Sequence, residues 1–201
     1  MAFYIDDVPS DAFVIEPPDT IDLAGFTGAE AEMIDPTGTV TELTATIAPD
    51  DLSVVVAIPA TSMFTEEGVH RLRVALTDAP ARQRLPEVRI VVQDPESEWH
   101  TLDSIRDEWP DAERLDDVTL WNMLQVVREQ VIEFAPTLAE DAPVPENYRL
   151  GQRMQVRNTY NAARVAPDGG TGEGDFIIRP FPLDWHVKHI LRPKSGKPVV
   201  A

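Results

Sequence analysis

The stretch Asp94-Pro95-Glu96-Ser97-Glu98 divides the sequence into two parts with different hydrophobic periods. Before it, apolar residues recur at every second position, which is typical of strands with one buried face. After it, they recur every three to four positions, which is typical of amphipathic helices. Because the stretch itself is acidic and contains a proline, it suits a linker between domains. The sequence therefore predicts a multidomain α+β protein, with a β domain over residues 1–98 and a helical domain after it.

The part before this linker consists of short β-branched runs separated by turn residues. In one run, Ala29, Ala31 and Met33 point to one face of a strand, and Glu30 and Glu32 point to the other. Proline- and glycine-containing turns separate the runs at the spacing of roughly 8 to 12 residues that a β-sandwich has. We expect a small antiparallel Ig-like β-sandwich, with strands at residues 12–15, 29–34, 43–47, 53–58, 69–76 and 87–92.

Three helices are predicted in residues 99–175. Thr101 is placed to cap a short helix that Pro110 ends. A longer helix is predicted where apolar residues recur at spacings of 4, 3, 4 and 3. It begins at Asp116-Asp117 and ends before Pro136. The third helix runs from about residue 146 to 165, and a glycine-rich loop follows it at residues 167–175. The apolar residues of the second helix are Leu120, Leu124, Val127, Val131 and Phe134.

The third helix has a basic face. Its four arginines fall within an arc of roughly 80° when the chain turns about 100° per residue. Two interpretations stay open, an ion-paired surface and an interface with another protein. The four residues are Arg149, Arg153, Arg157 and Arg164.

The chain is acidic overall, but its C-terminal segment is basic. The 201 residues include 35 acidic and 17 basic residues, for a formal net charge of −18. Residues 176–201 hold 5 basic residues and 1 acidic residue. The acidic majority argues against binding to bulk DNA or to an anionic membrane. No stretch approaches the roughly 20 apolar residues of a membrane helix, and the start lacks the basic region of a secretory signal. We therefore expect a soluble protein made in a cytoplasm, with no membrane partner.

Residues 176–201 are predicted to form an extended C-terminal arm that docks on an acidic surface. Within it, residues 176–178 suit a short strand and residues 183–191 suit a short helix. Prolines and glycines prevent a regular element after Arg192, so we expect that end to order only on docking.

No arrangement of residues indicates catalysis. The chain has no cysteine, which excludes thiolate zinc sites, Fe–S clusters and thiol nucleophiles. His186 and His189 have a spacing that could serve a metal, but no third ligand accompanies them, so polar contacts are the favoured interpretation. The glycines of residues 169–174 lack the lysine of a phosphate-binding loop and favour a linker. A calcium site in a turn of the β domain stays an alternative. We predict no enzymatic activity, cofactor or bound metal.

Two resemblances cover most of the chain. Residues 21–25, 29–33, 35–38, 43–45 and 68–74 resemble the Ig-like modules of tailed-phage structural proteins, including the N-terminal domain of baseplate upper proteins. The second part resembles the head-to-tail adaptor, or connector, proteins of long-tailed phages. Its supporting segments are residues 120–124, 147–158, 161–163, 192–194 and, most specifically, Arg179-Pro180-Phe181-Pro182-Leu183-Asp184-Trp185-His186-Val187-Lys188.

The second resemblance implies a helical domain that forms a dodecameric ring beneath the portal protein, with the C-terminal arm reaching the portal. Simple adaptors lack the N-terminal β domain, so this chain departs from the family there. The expected portal contacts are Phe176, Arg179, Phe181, Leu183, Trp185, Lys188, Arg192, Lys194 and Lys197, and the expected ring contacts are the four arginines of the third helix.

The predicted function is that of a structural adaptor in the head-tail neck of a virion, assembled in the host cytoplasm. Its partners would be the portal protein, a stopper or tail-completion protein, and other copies of itself, while DNA passes without specific binding. The alternative is a tail, baseplate or decoration protein whose Ig-like module binds another virion protein or the host surface. A host-derived enzyme or receptor domain is a third interpretation.

Overall fold

The computed structural model describes residues 1–50, 52–78, 80–139, 142–164 and 182–192. The chain forms two compact units, Met1–Pro95 and Glu96–Ala201. The described residues of the first unit form a β-sheet, and those of the second form helices. The predicted mixed α+β class is therefore confirmed.

The first unit, which we call the β unit, contains a single curled sheet. Its strand order is β1-β8-β6-β3-β4-β5-β2, and β7 pairs with β6 beside this path. Only the pairing of β1 with β8 is parallel among the described strands. The strands are β1 (Ala2–Tyr4), β2 (Phe13–Ile15), β3 (Gly28–Ile34), β4 (Val40–Ile47), β5 (Val54–Val56), β6 (Gly68–Asp78), β7 (Ala81–Arg84) and β8 (Val88–Gln93).

Aromatic contacts bring the two ends of the strand path together. Phe3 on β1 and Phe13 on β2 have ring centroids 6.1 Å apart, in an edge-to-face arrangement. Phe64 stacks on Phe3 at 4.9 Å and is fully buried. Strands at opposite ends of the path can meet in this way only if the sheet curls around the core.

The alternation that predicted the strands also places the core. On β3, Ala31 and Met33 are buried, and on β6, Leu72, Val74 and Leu76 are buried with them in one cluster. The alternate side chains on each strand therefore point away from this cluster.

The hairpin between β3 and β4 depends on the carboxylate of Asp35. This carboxylate accepts hydrogen bonds from the Thr37 hydroxyl at 2.7 Å and from the backbone N–H groups of Thr37 and Thr39 at 2.9 and 2.8 Å. These bonds, the Thr37 hydroxyl first, hold the pKa of Asp35 below its usual range. Gly38 completes the turn with a φ of +94°, which glycine adopts without strain.

Two strands were not predicted from the sequence. Each of the six predicted runs overlaps an observed strand, but β1 and β7 add to them. β1 is three residues long and pairs with a strand near the far end of the unit, so its own residues carry little signal. β7, Ala81–Arg84, is exposed at all four positions, and its sequence therefore shows no hydrophobic alternation.

The second unit, which we call the helical unit, contains four α-helices among its described residues. They are α1 (Leu102–Glu108), α2 (Asp117–Phe134), α3 (Glu146–Arg164) and α4 (Trp185–Leu191), with a 3-10 turn at Pro110–Arg114. The first two helices begin at the capping residues that the sequence predicts. Thr101 forms a capping box with Ser104, and the Asp116 side chain accepts a hydrogen bond from the backbone N–H of Thr119. The predicted loop at residues 167–175 and the predicted strand at residues 176–178 lie outside the described residues.

The helices of this unit pack pairwise. α2 contacts α1, α3 and α4, and α3 contacts α4. The Trp109 ring meets the Tyr160 ring of α3 edge to face at 5.1 Å. Gln152 of α3 is fully buried and donates to the Leu124 carbonyl at 3.1 Å. In the part of the chain that the structure describes, we find no helix with the length and apolar character needed to cross a membrane.

Candidate interaction surface on the C-terminal helix

The described part of the predicted C-terminal arm is a docked helix. Residues 182–192 lie on the helical unit, with α4 packed against α2 and α3. The short helix predicted at residues 183–191 is therefore present as α4, but it is docked on the helical unit and not part of an extended arm. Of the nine predicted portal contacts, Leu183, Trp185, Lys188 and Arg192 are described. The other five, Phe176, Arg179, Phe181, Lys194 and Lys197, lie outside the described residues.

Two apolar side chains anchor α4. Val187 and Leu191 are 0% and 1% exposed. They lie over Gly151 of α3, where a Cβ atom would be 3.0 Å from the Leu191 Cδ2 atom and 3.5 Å from the Val187 Cγ1 atom. The absence of a side chain at Gly151 therefore allows the two helices to approach closely.

Polar side chains of α3 fix the segment that leads into α4. The buried Gln155 side chain donates to the Pro182 carbonyl at 3.2 Å and accepts from the Asp184 backbone N–H at 3.1 Å. Asn147 donates to the Ile190 carbonyl at 3.1 Å. Asp184 caps α4 by accepting from the backbone N–H of His186. These contacts hold both ends of α4 to α3.

Trp185 lies on the opposite side of this anchored helix. Its side chain is 64% exposed, whereas Trp99, Trp109 and Trp121 are buried. The Trp185 ring contacts the ring of His189 at 4.1 Å and the ring of His186 at 5.2 Å. An exposed tryptophan on a fixed backbone is the kind of residue that dominates protein–protein interfaces.

The two cations of α4 rest on an aromatic ring of α2. The Lys188 Nζ atom lies 5.7 Å, and the Arg192 Cζ atom 4.9 Å, from the centroid of the Phe134 ring. Both distances allow cation–π attraction. Phe134 is the last residue of α2, where the carbonyl end of the helix also favours positive charge. Lys188 and Arg192 therefore stabilise the docked helix and add positive charge beside Trp185.

We call Trp185, His186, Lys188, His189 and Arg192 the α4 surface. It combines an exposed aromatic ring with two cations and two imidazoles. Such a surface suits an acidic partner that has a pocket for the tryptophan. His186 and His189 contact the Trp185 ring, and no group of three metal-binding side chains exists among the described residues.

The four arginines predicted as ring contacts have different surroundings. Arg153 forms an ion pair with Glu108 of α1, and Arg149 lies 3.7 Å from Glu146. Arg157 is exposed and forms no ion pair with another described residue. Arg164 ends α3, and its side chain lies outside the described part. The ion-paired interpretation thus applies to Arg149 and Arg153, and among the described side chains of this set Arg157 is the one without an ion pair.

Several residues that shape this surface were not predicted from the sequence. Phe134 was expected to lie on the apolar face of α2, and Gly151 and Gln155 were read only as part of a helix. A glycine in the middle of a helix costs stability unless something needs the space, so Gly151 carried a usable signal for close helix packing. Gln155 carried none.

In comparisons with known proteins, no family model matches this chain, and no curated protein matches it.

Proposed function

We propose that this protein is a structural head-to-tail adaptor of a tailed phage. In this proposal it forms a ring, expected to be a dodecamer, beneath the portal protein in the virion neck. It joins the head to a stopper or tail-completion protein, acts without catalysis and lets DNA pass. The single observation that carries the proposal is Trp185, which is 64% exposed in the segment whose sequence resembles the terminal segment of adaptors.

The charge distribution supports this role. The α4 surface carries the cations Lys188 and Arg192, whereas the chain as a whole has a formal net charge of −18. The sign of this surface is therefore opposite to that of the whole chain. A partner with acidic residues around an apolar pocket would be attracted to it and repelled by most of the remaining chain. The acidity of the chain would also keep DNA from binding to a ring through which it passes.

The second part of the proposal concerns the β unit. We propose that its curled sheet is an Ig-like module added to the adaptor. The support is the antiparallel order of its central strands and the sequence resemblance to modules of tailed-phage proteins.

The alternative function is a tail, baseplate or decoration protein in which the β unit does the binding. A groove lined by charged side chains of the sheet favours it. Immunogold electron microscopy of virions separates the two functions by location, since the adaptor lies in the neck and the alternative places the chain elsewhere.

Trp185→Ala tests the adaptor function. We expect this variant to fold normally, because the side chain that it removes is mostly exposed, and to bind portal-bearing heads at least tenfold more weakly, since a central interface tryptophan contributes about 2 kcal/mol or more. Sedimentation with DNA-filled heads that lack tails measures this binding.

The matched control is Ile132→Ala on α2, which removes an apolar side chain that is 49% exposed and lies outside the α4 surface. This variant should bind heads like the unaltered chain. Equal binding by Trp185→Ala and the unaltered chain would contradict the docking role of α4.

A further inference from the structure

β7 forms an open edge of the sheet in the β unit. It pairs with residues 75–78 of β6, and among the described strands no second one pairs with it. β1 pairs with β8 at residues 91–93, so it does not extend alongside β7. All four residues of β7 are exposed. One side of this strand is therefore open to an additional strand.

The pairing with β6 determines which backbone groups of β7 face outward. In an antiparallel pair, successive residues direct their N–H and C=O groups alternately toward the partner strand and away from it. The Leu85 N–H donates to the Val74 carbonyl of β6 at 2.9 Å, so the backbone of Leu85 faces β6 and that of Arg84 faces away. By the same alternation Gln83 faces β6 and Arg82 faces away. The outward backbone groups therefore belong to two arginines.

The side chains of these two arginines make the open edge basic. β7 contains no acidic residue, although the chain as a whole has a net charge of −18. Arg84 forms no ion pair with another described residue. Arg82 lies 2.9 Å from Glu30, but both side chains are mostly exposed, and water weakens such a pair. Because opposite charges across two strands stabilise their pairing, the edge favours an incoming strand with acidic side chains.

A second copy of β7 would be a poor partner for this edge. In an antiparallel pair of two such edges, the residues that exchange hydrogen bonds lie directly opposite each other. Those residues are Arg82 and Arg84 in both copies, so each arginine would face another arginine. Like charges directly opposite destabilise a strand pair, and charged side chains on edge strands commonly prevent self-association. The charge of the edge thus selects a different protein as its occupant.

The alternation of β7 also sets the spacing of the acidic residues. Arg82 and Arg84 are two positions apart, so their side chains point to the same face of the sheet. An antiparallel strand beside β7 places one residue opposite Arg84 and the residue two positions further along opposite Arg82. The residue between them points to the other face, beside Gln83. The matching segment therefore has two acidic residues separated by one residue.

We propose that the open edge of β7 binds an extended segment of a partner protein as an additional antiparallel strand. The backbone of the segment exchanges hydrogen bonds with Arg82 and Arg84, and two acidic side chains, two positions apart, pair with their guanidinium groups. The inference concerns the β unit alone and does not depend on the adaptor role of the helical unit.

The test uses the full-length protein and the blocked peptide Thr-Glu-Val-Glu-Thr, with binding followed by saturation-transfer difference NMR, which detects weak ligands. One comparison peptide is Thr-Lys-Val-Lys-Thr, which has the opposite charge. The other is Thr-Glu-Glu-Val-Thr, which has the same composition but directs its two acids to opposite faces of a strand. We expect the first peptide to bind several-fold more tightly than either of the others.

Methylation of single peptide nitrogens tests the backbone pairing. Both glutamates of Thr-Glu-Val-Glu-Thr direct their N–H groups to β7 in the proposed arrangement, and the valine directs its N–H group away. N-methylation of the two glutamates should therefore abolish binding, whereas N-methylation of the valine should leave most of it.

A charge reversal in the protein locates the site. Arg84→Glu should reverse the preference, so that Thr-Lys-Val-Lys-Thr binds more tightly than Thr-Glu-Val-Glu-Thr. Arg114→Glu makes the same change of charge at an exposed position of the helical unit and should keep the original ranking. Because the reversal predicts a gain of binding for one peptide, a misfolded variant cannot imitate the expected result.

The proposal is overturned if Thr-Glu-Val-Glu-Thr does not bind, if it binds no better than its isomer, or if Arg84→Glu leaves the ranking unchanged. It is also overturned if Arg84→Glu changes the mass of the assembly in sedimentation without changing the ranking, because a second copy of the chain would then occupy the edge.

Discussion

At the scale of single residues, we expect His100 to make the stability of the helical unit depend on pH. Its side chain is buried, and its ring nitrogen Nδ1 lies 3.2 Å from the Ser104 hydroxyl. Burial lowers the pKa of His100 below its usual 6.5, although Glu108 acts in the opposite direction. Below pH 6.5 the unfolded chain binds a proton that the folded chain binds only at lower pH. The free energy of unfolding therefore falls as the pH falls from that value.

His100→Asn should flatten this dependence. We expect urea unfolding of the unaltered chain at about pH 7.5 and about pH 5 to show a loss of stability that is smaller in His100→Asn, because asparagine does not titrate in this range. His186→Asn, which changes an exposed histidine, should keep the full loss. Identical losses in all three proteins would show that His100 is not the titrating group.

The charged residues show where sequence reasoning ends. From the sequence, Arg149 and Arg153 fit either an ion-paired surface or an interface with another protein, and Lys188 was a predicted portal contact. In the structure, Arg153 pairs with Glu108 and Lys188 lies over the Phe134 ring. Helical periodicity gives the face of a charged residue, but it does not give the partner that another helix brings to that face. Trp185 was named from its sequence segment, and the structure adds that its side chain is exposed.

At the scale of elements, the fit between α3 and α4 depends on Gly151. A valine at this position would add a Cβ atom 3.0 Å from the Leu191 Cδ2 atom and two methyl groups beyond it. We expect Gly151→Val to lower the free energy of unfolding by about 1–3 kcal/mol, which is typical of overpacking, and to speed hydrogen exchange of the α4 amides. Urea unfolding and hydrogen-exchange mass spectrometry measure the two effects.

Asn161→Val is the matched control, because it places the same β-branched residue at an exposed position of α3. Its α4 amides should exchange at the rate of the unaltered chain. Equal exchange of α4 in the two variants would mean that close packing at Gly151 does not hold this helix.

The long elements were predicted better than the short ones. The bounds of α1 and α2 were predicted closely from the apolar spacing of α2 and from the caps at Thr101 and Asp116, because these signals are local. β1 and β7 escaped prediction because a three-residue parallel strand and a fully exposed strand are defined by their neighbours. The docking of α4 was also missed, since it depends on Gly151 and Gln155, which lie far from it in the sequence.

At the scale of the whole molecule, the two units divide the proposed work. The helical unit carries the α4 surface, which combines Trp185 with positive charge, and the β unit carries a groove lined by charged side chains. In the proposed function, an acidic chain with the α4 surface connects other proteins. The central claim of the proposal is the location of this chain in the virion neck, beneath the portal protein.

A cryo-EM map of the neck of virions that contain this chain tests that claim most directly. We expect a ring of copies between the portal and the tail, with α4 against the portal and Trp185 buried in the contact. A neck without density for this chain, together with its location at the baseplate or on the capsid surface, would contradict the adaptor function.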